Sequence, residues 1–141
     1  MIGITPDQTK RVNEIKIAVN NNLAAASIKE GKYKRVVDCT NKVIEIDSNN
    51  TKALFRRGKA YLEQGDLDKA ERDLSKASQL DPNDGAIKKE LQILKQKTKV
   101  AEKKTQKFYA NMFDKMSKDE EKEPEKNEEK QNKESNTTEN S

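Results

Sequence analysis

Apolar residues recur along this chain at intervals of three and four. Between residues 51 and 84, Ala53, Leu54, Gly58, Tyr61 and Leu62 fall on one helical stripe, and Leu67, Ala70, Leu74 and Ala77 on a second. Gly65 parts the two, Asp66 stands where it can cap the second helix, and Asp81-Pro82-Asn83-Asp84 stops it. Small residues at Gly58, Ala60, Ala70 and Ala77 let the two helices approach closely. The spacing predicts a helix–turn–helix unit of 34 residues.

The same unit occurs once before. Placing 17–50 over 51–84 sets Ala24 on Gly58, Ala26 on Ala60, Gly31 on Gly65, Val36 on Ala70, Ile46 on Leu80 and Asp47 on Asp81. Repetition at such a period marks a solenoid whose units bury their apolar faces on one another. Upstream, Thr5-Pro6-Asp7-Gln8 reads as a capping box with proline at the first helical position. Val12, Ile15, Val19, Leu23 and Ala26 then carry one apolar stripe into the first unit. Downstream of Gly85, Ile87, Leu91, Leu94, Thr98 and Ala101 predict a long helix that caps the last unit. The expected organisation is all-α: an extension of the first helix over 1–16, units over 17–50 and 51–84, a capping helix over 85–116, and a charged tail over 117–141.

Composition sharpens the last of these. From Ser117 to Ser141 there are five Lys against nine Asp or Glu, with no Phe, Leu, Ile or Val. Such a segment cannot bury enough apolar surface to offset its ordering entropy, which predicts a disordered tail. The residues before it carry 24 basic against 16 acidic side chains, a positive field suited to an acidic partner. No apolar run approaches the roughly 20 residues of a membrane span, and no secretory signal opens the chain. Cytoplasmic localisation, with the nucleus also open, is the expectation.

Catalysis has little to work with. The sequence contains no His and a single Cys, Cys39, so a Ser-His-Asp triad, a Cys-His pair and a zinc site are not available, and no glycine-rich phosphate loop occurs. The expectation is a non-enzymatic chain without cofactor or metal. Binding is better supplied. Lys52 and Arg56 are four apart on one helix face, and Lys59 extends the stripe. Asn22 and Arg56 occupy the same place in their respective units, so in a solenoid they line one surface. An amide and cations facing a groove suit a peptide carboxylate, which Arg can hold in a two-pronged grip. The plainer alternative is that Lys and Arg only solvate a helix and that Asn22 is one of three consecutive asparagines.

Leu54, Gly58, Tyr61, Ala70, Leu74, Ala77 and Pro82 stand at the spacing of the tetratricopeptide family, which this pattern resembles. The first unit matches at Ser27, Val36, Thr40 and Ser48. More narrowly, residues 20–116 resemble the C-terminal tetratricopeptide region of the large FK506-binding immunophilins, with the forty-kilodalton cyclophilin second. The matching stretches are Asn22-Leu23-Ala24, Lys52-Ala53-Leu54-Phe55-Arg56-Arg57-Gly58 and Tyr109-Ala110-Asn111-Met112-Phe113. The resemblance implies a co-chaperone module whose carboxylate clamp grips the Met-Glu-Glu-Val-Asp end of the ninety-kilodalton heat-shock chaperone. The seventy-kilodalton chaperone, ending alike in Glu-Glu-Val-Asp, is a second partner. Of five clamp residues three fall here, on Asn22, Lys52 and Arg56; the Lys and Asn of the family's first repeat have no counterpart in Met1–Lys16. The resemblance therefore implies either the back portion of a longer protein, the favoured reading, whose parent would be a peptidyl-prolyl cis-trans isomerase or an inactive relative, or a shortened relative with half a clamp.

Two further surfaces invite partners. Val12, Ile15 and Val19 would be left bare by a missing repeat, which predicts a homodimer formed by exchange of the long first helix. In that alternative the acidic tail, with Asp119-Glu120-Glu121, fills the groove as a pseudo-ligand. Lys104 and Lys107 precede Phe108, Met112 and Phe113 in a basic amphipathic segment of the kind calmodulin binds, and the resembled family carries such a site in this region. The plainer reading has Phe108 and Met112 packing on a neighbouring helix. Nucleic acid is not expected, since the lysines are mixed with Glu and no aromatic platform accompanies them.

Overall fold

The computed structural model describes residues 3–139, with side chains as far as Asp119. The capping box forms as read: the Thr5 hydroxyl accepts from the Gln8 N–H at 3.2 Å, and the Gln8 carboxamide oxygen accepts from the Thr5 N–H at 3.0 Å. They open α1 (Pro6–Lys29), which runs without a break from the predicted extension into the first unit.

Gly31 and Gly65, one repeat apart, do the same work at the two inter-helix turns. Their φ values are 72° and 81°, the left-handed region that an L side chain enters only at a cost. After α1, the Gly31 N–H reaches the Ile28 carbonyl at 3.1 Å and the Lys32 N–H reaches Ser27 at 2.9 Å. Gly65 to Leu62 and Asp66 to Tyr61 repeat the pattern at 3.1 and 2.9 Å. This double bond satisfies carbonyls that would otherwise be orphaned at the helix end. The chain then turns back into α2 (Tyr33–Ile46) from α1, and into α4 (Leu67–Leu80) from α3 (Thr51–Glu63). Asp66 caps α4 through the Lys69 N–H, and Asp84 caps α5 (Gly85–Glu139) through the N–H groups of Ala86 and Ile87 at 2.9 and 3.1 Å.

The chain divides into two units, Met1–Thr98 and Lys99–Ser141. In the first, the helices pack in order as two hairpins. Ala24, Val36, Cys39 and Ala60 form the seam between them. Leu62, Ala70 and Leu74 receive Leu94 of α5, and Leu54 and Ala77 receive Ile87, so the start of α5 closes the end of the solenoid. Leu54, Leu62, Leu74, Ile87, Val36 and Val43 are fully buried, each contributing about 1.5–3 kcal/mol of burial. Gly58 marks the closest approach. A Cβ there would sit 2.7 Å from Leu74 Cγ, so α3 and α4 touch at backbone range.

Two features depart from the simple apolar pattern. Tyr61 is only half-buried, with its ring between the Arg57 guanidinium at 5.9 Å and the Lys69 ammonium at 5.5 Å. Val12, Ile15 and Val19 are exposed, as their stripe predicts, and Leu23 joins them, because α1 turns Asn21, Ala24 and Ser27 inward.

The second unit is the remainder of α5. Phe108 and Tyr109 meet edge to face at 5.9 Å and are themselves exposed. Where composition predicts an unfolded tail from Ser117, the backbone continues as helix to Glu139. The acidic side chains from Glu120 onward, including most of the predicted pseudo-ligand, lie outside the described residues.

Candidate functional site

A pocket of about 590 Å³ opens where the middle of α1 faces the start of α3. Asn22, Lys52 and Arg56, predicted to share a groove, all line it. Their convergence follows from the repeat: the turn after α2 returns the chain so that α3 starts against α1.

The link between the helices is a chain of amides. Asn50 caps α3, its Oδ1 accepting from the Ala53 N–H at 3.0 Å. The same oxygen accepts from Asn21 Nδ2 at 3.3 Å, and Asn50 Nδ2 donates to Asp47 at 3.4 Å. Since Asn50 Oδ1 must be the cap's acceptor, the Asn21 amide is oriented with its nitrogen toward Asn50. Asn21 Oδ1 is left buried without a donor. The Asn21 backbone carbonyl accepts in turn from Arg56 Nη1 at 3.1 Å, which aims that side chain across the pocket.

Electrostatics separates the four cations of α3. Arg57 is consumed internally, gripping both oxygens of Asp73 at 2.7 Å and donating to Asn41 at 3.0 Å. That pairing raises its pKa above the ordinary guanidinium value. Lys59, predicted to extend the binding stripe, is not in the pocket; its ammonium lies 3.8 Å from Glu90 of α5. One helical turn further along α3, it faces the closing helix instead. Arg56 and Lys52 make no ion pair among the described residues. Burial alone acts on Arg56, lowering its pKa, although a guanidinium stays charged at any physiological pH. A half-desolvated cation without an anion is the feature an anionic ligand would complete.

Sequence reasoning missed Asn21, Asn50, Asp47 and Glu14, all of which line the pocket. Asn50 was findable, because an Asn directly before a helix start is a capping signal. Asn21 was not, since only the packing shows which of three adjacent asparagines turns inward. Lys104, Lys107, Phe108, Met112 and Phe113 all lie on α5 in the second unit and are exposed, the phenylalanines by 63% and 75%. Among the described residues no helix is long and apolar enough to cross a membrane, and no group of His, Cys, Asp and Glu could hold a metal ion.

Residues 51–84 match the family model described as tetratricopeptide repeat. Mouse (Mus musculus) peptidyl-prolyl cis-trans isomerase FKBP4 is 36% identical over 114 residues, covering 81% of this chain and 25% of that protein. The chain thus spans about a quarter of the length of the curated relatives it matches. Among solved structures, the C-terminal tetratricopeptide-containing domain of a putative FK506-binding protein from Plasmodium falciparum superposes with a TM-score of 0.68 at 35% identity. It covers 70% of this chain and 65% of that one. The first tetratricopeptide domain of Spaghetti (RPAP3), solved bound to the HSP90 peptide SRMEEVD, superposes with a TM-score of 0.55 at 26% identity. There the coverage is 57% and 64%.

Proposed function

We infer, from the premise that this chain is a tetratricopeptide-repeat domain homologous to the C-terminal region of FK506-binding isomerases, that its pocket docks the acidic C-terminus of a heat-shock chaperone. The chain is a protein-interaction module rather than the catalytic part of such an isomerase. In a longer parent it would tether the isomerase to the chaperone.

One observation carries the reading: Arg56 is half-buried, has no ion-pair partner among the described residues and is aimed over the pocket by the Asn21 carbonyl, with Lys52 one turn away. The terminal carboxylates of an Asp supply the missing anions. Arg56 offers two parallel N–H groups, Lys52 a point charge, and Asn22 an amide for the peptide backbone. The contacts are charge-assisted and partly exposed, so salt weakens them.

Calorimetric titration with the peptide SRMEEVD tests this. The parent chain should bind, and Lys52→Ala/Arg56→Ala should lose binding with an unchanged helical circular-dichroism spectrum. Equal binding by parent and double variant would sink the reading.

A further inference from the structure

The pocket is not uniformly basic. Glu14 and Asp47 line it together with Lys52 and Arg56. Asp47 is already engaged, one oxygen accepting from the Asn49 N–H at 3.3 Å and the other from Asn50 Nδ2 at 3.4 Å. Glu14 makes no ion pair among the described residues and is exposed. A purely acidic ligand would therefore meet an uncompensated carboxylate at one end of its site.

We propose that Glu14 is a specificity-determining residue that receives a basic side chain of the bound peptide, so that the site selects acidic C-termini carrying a Lys or Arg a few residues upstream. This rests on the docking reading above. The geometry sets the spacing. Glu14 precedes Asn22 by eight residues on α1, about 12 Å at the helical rise of 1.5 Å. An extended peptide covers that span in about four residues. With its terminal carboxylates at Asn22, Lys52 and Arg56, the fourth residue before the last arrives beside Glu14, and the long side chain of a Lys or Arg one residue further upstream can reach back to it. The pocket then presents its cations to the carboxyl end and its free carboxylate to the upstream segment. Charge order rather than total charge decides which tails fit.

The peptide SRMEEVD, which carries Arg five residues before its last, and its variant SAMEEVD are the probes. Titrated into the full chain at low salt, SRMEEVD should bind about threefold to fivefold more tightly, as expected for one partly exposed ion pair. Glu14→Gln should bring the two affinities together, chiefly by weakening SRMEEVD, and Glu14→Lys should make SAMEEVD the better ligand. Glu14 is exposed, so both variants should keep the parent's thermal midpoint. Equal affinity of the parent for both peptides overturns the role of Glu14 while leaving the docking site standing. A preference for SRMEEVD that survives Glu14→Gln overturns it as well. If the parent binds neither peptide, the docking reading and this inference fall together.

Discussion

Arg57 holds both carboxylate oxygens of Asp73 at 2.7 Å, across the contact between α3 and α4. Its neighbour Arg56 points the other way, toward α1, and holds only a backbone carbonyl. Adjacent positions on a helix diverge by about 100°, so two identical residues serve opposite ends: one braces the fold, the other faces a ligand.

The brace predicts a large stability effect. Asp73 is buried, and its loss would leave the half-buried Arg57 charge without its anion, with only the Asn41 carboxamide oxygen to accept from it. Asp73→Ala should therefore cost about 3–5 kcal/mol, read as a shift of the urea midpoint. Arg56→Ala should move that midpoint by less than about 1 kcal/mol, since it breaks one partly exposed hydrogen bond. Equal destabilisation by the two would show that the division of labour is wrong.

Gly58 offers a test of packing alone. Its φ is ordinary, so the penalty for a methyl group is steric: it would meet Leu74 at 2.7 Å (Cγ) and 2.9 Å (Cδ2), a side chain with no exposed surface, and Asp73 Cβ at 3.3 Å. Gly58→Ala should destabilise by about 1–3 kcal/mol despite the better helix propensity of alanine. Adding Leu74→Ala should cost less than the sum of the two single changes, because the truncated side chain makes room. Additivity in chemical denaturation would argue that the contact is not the cause.

Asn50 joins stability to binding. Asn50→Ala removes the α3 cap and the Asn21 tether together, and should cost about 1 kcal/mol of stability. Because α3 carries Lys52 and Arg56 in its first two turns, peptide affinity should also fall, measured by fluorescence anisotropy well below the melting temperature. Asn50→Asp retains the capping oxygen but turns the donor that faces Asp47 into a second carboxylate, so it should recover only part of the stability. Stability lost with affinity intact would detach the cap from the site.

Much of this was readable in the chain. The glycines at 31 and 65, a repeat apart, announce two turns of one kind because little else enters the left-handed region at a helix end. The capping box at Thr5 and the cap at Asp66 involve atoms three residues apart, so local order contains them. Asn22, Lys52 and Arg56 were legible as a group because equivalent places in stacked repeats must line one surface.

What local order could not contain is the pairing of charges. Arg57 meets Asp73 across 16 residues and Lys59 meets Glu90 across 31, separations without any periodicity to announce them. Lys59 was therefore expected in the groove, one turn beyond Arg56, where tertiary structure gives it instead to α5. The same holds for the inward turn of Asn21 and for Glu14 at the pocket's edge. Periodic burial and backbone turns are short-range properties that a repeat prints in its sequence. Which cations are neutralised and which stay free for a partner depends on contacts between distant helices, and only the packed structure decides it.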